Sequence, residues 1–269
     1  MSIRGKRILI TGASGGLGTA CIDLFQEKGA NVIGIDKEPS PDHANIVQAD
    51  VRDEESVGRA VEEAISRLGG LDILINNAGV LSLQDAGANP NGQTEEAFEV
   101  NLMGLWRVSA AAIPALKKSG GRIINVASLF AVVNAPFIPG YCASKRAVSA
   151  YSDVLRFQIG DKIKVITLYP GYMDTQIHNA ALKHGLSVKK LVTFRFFGRK
   201  FFSLEESLPA AARGMARACS RRYIRDRGLT FLGSVSLWFA RHTPRFVDWF
   251  IGKRLNYLIR KGHLTVSLN

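Results

Sequence analysis

Thr11-Gly12-Ala13-Ser14-Gly15-Gly16-Leu17-Gly18 is the stretch on which the reading of this chain turns. The apolar run Arg7–Thr11 leads into it, and a helical pattern over 16–28 leads out of it and stops at Gly29. A glycine-rich turn between a strand and a helix lets backbone amides approach a phosphate. The helix N-terminus adds partial positive charge. Gly12, Ser14, Gly15, Gly16, Leu17 and Gly18 are therefore candidates for holding a pyrophosphate. The spacing is GxxxGxG rather than GxGxxG, and taken alone it also fits an ordinary helix-start turn.

Working outward, the same alternation continues. Strand patterns cover Asn31–Asp36, 45–50, 71–76, 122–128 and Lys164–Tyr169. Helical patterns cover 53–68, 94–118 (broken late by Pro114) and 144–159. Continuous apolar strands between helices predict an α/β fold with a parallel sheet covered on both faces. No repeat, low-complexity tract or linker divides the chain, so 1–269 is expected to form one domain with an elaborated C-terminal segment. A helix near 204–220 is expected to open with a capping box, Ser203 reaching to Glu206.

Cys21, Cys142 and Cys219 are far apart, no CxxC pair exists, and the five histidines are scattered. That argues against a zinc site or a disulfide framework and favours a reducing cytoplasm. No secretory signal is expected, and the apolar stretch 229–240 falls short of the roughly 20 residues needed to span a bilayer. The net charge of +12 is uneven: residues 1–182 carry 17 Lys and Arg against 19 Asp and Glu, and residues 183–269 carry 18 against 4. The basic last third has to explain any charged partner.

Asp36 ends the second strand pattern some 20 residues past the turn, where a carboxylate can accept both hydroxyls of an adenine ribose. It would repel the 2′-phosphate of NADP, and Gly15 stands where a cation would help to hold that phosphate. NAD is thus favoured over NADP. Lys37 works against this, and a strand-end aspartate can also simply cap a turn.

Tyr141-Cys142-Ala143-Ser144-Lys145 sets a phenol and an ammonium four residues apart, on one face if helical. Lowering a tyrosine from near 10 to near 7 takes roughly 4 kcal/mol, which two close cations in a partly dry site can supply. The plainer reading is an exposed helix face bearing Tyr and Lys. Cys142, with no base or histidine placed for it, reads as small filler rather than a nucleophile. Around the pair stand Asn76-Asn77-Ala78-Gly79, Asn101 in Val100-Asn101-Leu102-Met103-Gly104, Ser128, and Pro170-Gly171.

With these motifs in this order, over about 5–175, the sequence resembles the short-chain dehydrogenase/reductase family in its classical NAD(H) form. The resemblance implies a Rossmann-type doubly wound sheet of about seven strands. It implies Tyr141 as general acid/base, Lys145 on the nicotinamide ribose, Ser128 on the substrate oxygen and Asn101 holding a water in a proton relay. Asp50 and Val51 would meet the adenine, and Asn77, Ala78 and Gly79 would line the adenine-ribose side. Pro170 and Gly171 would shape the nicotinamide pocket, with Met173 and Thr175 near the carboxamide and phosphates. No metal is implied. The family's matching helices, here 94–118 and 144–159, pair into a dimer interface, so a homodimer or homotetramer is expected.

In this family the stretch after the Pro-Gly motif, here 172–202, covers the substrate. It holds Phe194, Phe196, Phe197, Phe201 and Phe202 among Lys189, Lys190, Arg195, Arg199 and Lys200. Residues 229–259 add further aromatics and cations. Thr243-Pro244 reads as an N-cap and first helical residue, with Val247, Phe250 and Ile251 on one face. Three readings fit this segment: a core-packed helix with a solvated basic side, attachment to an anionic membrane surface, or nucleic-acid binding, which no recognisable module supports. In texture the tail also resembles family members acting on sterols, retinoids and lipid-like alcohols. The expected activity is therefore interconversion of a hydroxyl and a carbonyl on a hydrophobic substrate with NAD(H). The alternatives are an NADPH-dependent carbonyl reductase and a non-catalytic NAD-binding sensor.

Overall fold

The computed structural model describes residues 2–41, 43–179, 182, 187, 189, 193–196, 199–203, 205–220 and 225–261. Its strands are β1 (Arg7–Thr11), β2 (Asn31–Asp36), β3 (Ile46–Gln48), β4 (Ile73–Asn76), β5 (Arg122–Val126) and β6 (Lys164–Tyr169), then an antiparallel ribbon of β7 (Thr193–Phe196) and β8 (Arg199–Ser203), and last β9 (Asp226–Gly228). The main sheet is seven-stranded, in the order β3-β2-β1-β4-β5-β6-β9, and each pairing within it is parallel. The order reverses between β1 and β4, which opens a crevice beyond the strands' C-terminal ends.

Alternation along β1 builds both faces. Ile8 and Ile10 pack with Phe25 of α1 (Gly16–Glu27) and, from the other end of the chain, Met215 of α6 (Leu208–Ala218). Leu9 points the other way, onto Val61 of α2 (Glu54–Leu68) and Leu116 of α4 (Leu105–Ser119). Each such fully buried aliphatic side chain contributes about 2 kcal/mol. The remaining helices are α3 (Gly92–Phe98), α5 (Pro139–Ile159), α7 (Phe231–His242) and α8 (Pro244–Arg260).

Several boundaries differ from the sequence expectation. The helix expected over 94–118 is α3 and α4 joined by a π-helical turn, Glu99–Gly104, and it runs through Pro114 instead of breaking there. The break thus falls at Asn101. α5 begins at Pro139, five residues before the expected start. Pro139-Gly140 looks like a breaker, but proline is favoured in the first helical turn. No capping box forms at 203–206: Ser203 ends β8, α6 starts at Leu208, and Glu206 is buried elsewhere. The β7–β8 ribbon was not anticipated. Among the aromatic and basic residues singled out at 172–202, Lys190 and Phe197 lie outside the described residues, as do the side chains of β7 and β8 other than Thr193.

Candidate active site

Gly12 is the first constraint on the site. Its φ is +65°, and a Cβ there would lie 2.8 Å from Ala78 Cα, so only glycine lets the turn after β1 close onto the end of β4. The Asn77 amide secures that approach by donating to the carbonyls of Thr11 (3.0 Å) and Gly12 (3.1 Å). Thr11 Oγ1 accepts the Asn77 and Ala78 N–H groups, both at 3.1 Å. At Gly18 a Cβ would sit 2.1 Å from the Gly12 carbonyl oxygen, so α1 packs directly against the turn. The helix, with Gly15 as its N-cap, has neither a side-chain cap nor an acidic residue in its first turn, which leaves its partial positive charge facing the crevice.

The crevice has a volume of about 430 Å³. Gly12, Ser14, Gly15, Gly16, Leu17, Asp36, Lys37, Asp50, Val51, Asn77, Ala78, Gly79, Ser128, Tyr141, Lys145, Pro170, Gly171, Met173 and Thr175 all line it. Of the residues expected at the site, Gly18 and Asn101 stand behind the wall. Asn101 is fully buried in the π turn. Both its N–H groups are engaged, on the Val80 carbonyl (3.0 Å) and Ser144 Oγ (2.9 Å), and its Oδ1 accepts the Val80 N–H at 2.8 Å.

At one end Asp36 accepts the Ser14 N–H at 2.9 Å and the Glu38 N–H at 3.1 Å, tying β2 to the glycine turn. Beside it Arg52, which sequence reading passed over, grips the Asp50 carboxylate through Nε at 3.0 Å and Nη2 at 2.6 Å. Those hydrogen bonds hold Asp50 below the usual carboxylate range. The spacing Asp50-Val51-Arg52 carried the signal, since an acid and a base two apart in a turn can fold back on each other.

At the other end α5 presents Tyr141 and Lys145, both buried, and the end of β5 presents Ser128. The Ser128 hydroxyl faces Tyr141 and acts to lower its pKa. Burial nevertheless pushes Tyr141 up to about 12, the opposite direction to that expected from the Tyr-Lys spacing. The reason is geometric. Lys145 Nζ lies 6.0 Å from the Tyr141 ring centroid and donates to the Val126 carbonyl at 2.9 Å, and burial lowers it to about 8. Desolvation outweighs the ammonium at this distance. Cys142, pushed up by burial, remains a thiol.

Two further residues emerge only in three dimensions. Glu206 accepts the Gly171 N–H at 2.8 Å and the Thr230 N–H at 3.2 Å, and is also bonded to the Thr230 hydroxyl, so it joins the Pro170-Gly171 turn to the start of α7. His178 lines the crevice and packs on Tyr172 with ring centroids 4.5 Å apart; burial lowers it to about 4, keeping it neutral. Around Tyr141 lies an apolar cluster of Leu81, Leu83, Phe130, Ile138, Tyr172 and Leu258, the last from α8. Among the described residues, no group of His, Cys, Asp and Glu could hold a metal ion.

Comparison with known proteins agrees with this arrangement. The family model for short chain dehydrogenases matches residues 6–184. The 11-beta-hydroxysteroid dehydrogenase A of Sesamum indicum is 26% identical over 97% of this chain and 78% of its own length. Among solved structures, the 3-ketoacyl-(acyl-carrier-protein) reductase of Brucella melitensis, complexed with NADH, is 27% identical. It covers 86% of this chain and 98% of its own, with a TM-score of 0.73. A short chain dehydrogenase from Burkholderia cenocepacia in complex with NADP shares the fold at a TM-score of 0.75, with 24% identity over 93% of this chain and 99% of its own.

Because Lys145 is lowered from 10.5 to about 8, the folded chain binds fewer protons than the unfolded chain between those values. Stability therefore rises with pH across that window, and below it the buried charge costs about 3 kcal/mol. In Lys145→Met this cost is gone. The unfolding free energy of the variant minus that of wild type should fall by about 3 kcal/mol from pH 7 to 10.5 in denaturant titrations. A difference that stays constant with pH would contradict a buried ammonium.

Proposed function

The chain belongs to the short-chain dehydrogenase family and is an oxidoreductase acting on CH–OH groups; from that premise we propose that it interconverts a hydroxyl and a carbonyl on a sterol-, retinoid- or lipid-like substrate, with NAD(H) as cofactor. The observation that carries this reading is the meeting in one crevice of Ser128, Tyr141 and Lys145 with the apolar Phe130, Tyr172 and Ile177, which are backed by a cluster that includes Leu258 of the C-terminal helix. We treat 1–269 as one unit, in which 5–175 carries cofactor and chemistry and 176–269 covers the substrate.

The fold binds NAD(P), which supplies the carbon that takes or gives the hydride when bound. The glycine turn and the α1 N-terminus would hold its pyrophosphate, Asp36 its adenine ribose, and Asp50 and Val51 its adenine. Asn77, Ala78, Gly79, Pro170, Gly171, Met173 and Thr175 would shape the rest of its bed. Substrate oxygen would lie against Ser128 and Tyr141. At neutral pH Tyr141 holds its proton, so it is poised as the acid that protonates a developing alkoxide. In the oxidation direction it must accept a proton, and the Lys145 ammonium, outweighed by burial on its own, would favour the phenolate only together with the positive charge that the bound cofactor supplies. Asn101 acts on this machinery through Val80 and Ser144, with one Oδ1 lone pair left for a relay water. Turnover is the part of this reading that a purely sensing protein would lack. The unpaired, buried thiols Cys21 and Cys219 fit a reducing cytoplasm.

A second copy of the chain is the proposed partner. Trp106 on α4, and Val154 and Phe157 on α5, are 50%, 53% and 85% exposed, a patch that an α4–α5 dimer face would cover. A monomeric mass by light scattering at micromolar concentration would exclude this.

The cofactor decides between the leading reading and an NADPH-dependent reductase, which Lys37 and Arg52 at the Asp36 end would favour. Wild type should bind NADH at least ~10-fold more tightly than NADPH, since a charge clash above about 1.4 kcal/mol is at stake. Asp36→Ala should narrow that gap. Tighter NADPH binding by wild type would reverse the assignment. An NAD⁺-coupled screen of hydrophobic secondary alcohols, read as NADH absorbance, should find the substrate class. Activity confined to small polar alcohols would sink the apolar reading.

A further inference from the structure

α7 and α8 bury little of their aromatic content. Leu237 on α7 and Leu258 on α8 face inward, the latter against the Tyr141 cluster, and Val247, Ile251 and Leu255 are half-buried. The aromatics turn outward instead: Phe231 is 85% exposed, Trp238 54%, Phe246 59% and Trp249 56%. All of these but Phe231 stack on a neighbouring ring of their own helix rather than on the core. Phe246 lies 5.9 Å from Trp249 and 6.2 Å from Phe250, and Trp238 lies 4.6 Å from His242. Phe250 is 39% exposed, although it shares a helical face with the half-buried Val247 and Ile251.

Cations are interleaved with these rings. Residues 229–261 contain Arg241, Arg245, Lys253, Arg254, Arg260 and Lys261 against the single acid Asp248, whose carboxylate accepts from Asn134. Lys253 Nζ rides 5.3 Å above the Trp249 ring, its stem along the apolar surface and its charge outward. Among the described residues, no carboxylate forms an ion pair with Arg245, Lys253 or Arg260. Among the described residues no helix is long and apolar enough to cross a membrane, so α7 and α8 could meet lipid only at its surface.

We propose that the outward faces of α7 and α8 dock this protein on an anionic lipid surface, with the aromatics inserted at the headgroup level and Arg245, Lys253 and Arg260 paired with lipid phosphates and carboxylates. A second copy of the chain fits this face poorly. A two-fold interface would set same-sign charges opposite one another, and buried interface cores are depleted in lysine. Docking is transmitted inward at two points: Glu206 ties the start of α7 to Gly171, and Leu258 of α8 packs in the Tyr141 cluster. The apolar cluster that holds the catalytic tyrosine then meets the docked helix through Leu258, on the side from which an apolar alcohol or ketone would leave the bilayer. That consequence rests on the apolar-substrate reading, whereas the docking itself does not and is measured without cofactor or substrate.

The test is sedimentation of the full chain with phosphatidylcholine vesicles containing about a third phosphatidylserine, beside pure phosphatidylcholine vesicles. Binding should be at least ~10-fold tighter to the anionic vesicles and weaker at 1 M salt, where the Debye length falls to about 3 Å. Brominated lipid should quench tryptophan fluorescence in wild type. Because Phe246 and Trp249 lie outside the core clusters, the double variant Phe246→Ser, Trp249→Ser should melt like wild type yet bind at least ~10-fold more weakly. Lys253→Glu with Arg245→Glu should abolish the preference for anionic vesicles. Equal affinity for both vesicle types, or no binding by wild type, overturns the proposal. So does a fall in particle mass in the double variant, which would mean that a second copy covers this face.

Discussion

The closure of the β1 turn onto the end of β4 is the contact from which the rest of the molecule is laid out. β1 lies between β2 and β4, so the turn that leaves it must pass over the point where the strand order reverses. It can do so only because Gly12 takes a positive φ and lets the Ala78 backbone approach where a Cβ would collide. Asn77 then fixes the two segments through the carbonyls of Thr11 and Gly12. With that turn fixed, the first amides of α1 face the crevice, Asp36 reaches Ser14, and Ala78 and Gly79 pass in front of Asn101 and Lys145. Gly79 is part of the same constraint: a Cβ there would come within 3.2 Å of Lys145 Nζ.

Much of this was legible in the chain because it depends on local spacing. A glycine turn between strand and helix, an aspartate at the end of β2, and a tyrosine four residues before a lysine are all properties of neighbouring residues. The order of the motifs did the rest, and 19 of the expected site positions meet on one wall. What was not legible depends on contacts between distant segments. Glu206 suggested a local capping box, yet its carboxylate is claimed by Gly171 and Thr230, partners 35 and 24 residues away. His178 carried no pattern until Tyr172 packed on it. The π turn at Asn101 is one extra residue in an otherwise regular helix, a feature that periodicity over a long window averages away.

The electrostatics show why spacing alone misjudged the tyrosine. An ammonium four residues along the helix suggests attraction for a phenolate, but both groups are removed from water, and each is penalised for charge by its own burial. In the protein alone Tyr141 is therefore a firmly protonated acid and Lys145 a weakened base. Such a site favours donation of a proton to a substrate oxygen, while proton removal depends on charge arriving with the bound cofactor. The C-terminal third bears on the same site, since Leu258 of α8 packs in the apolar cluster around the tyrosine while its basic, aromatic side faces outward.

If Tyr141 moves the proton, removing one oxygen atom should abolish chemistry without disturbing the crevice. The direct measurement is single-turnover oxidation of the best alcohol from the substrate screen by wild type and Tyr141→Phe, each saturated with NAD⁺, alongside a titration of NADH binding. The account predicts that NADH affinity is unchanged and that the hydride-transfer rate falls at least ~100-fold, as expected for loss of a general acid/base. A Tyr141→Phe enzyme that binds NADH normally and turns over near the wild-type rate would contradict it.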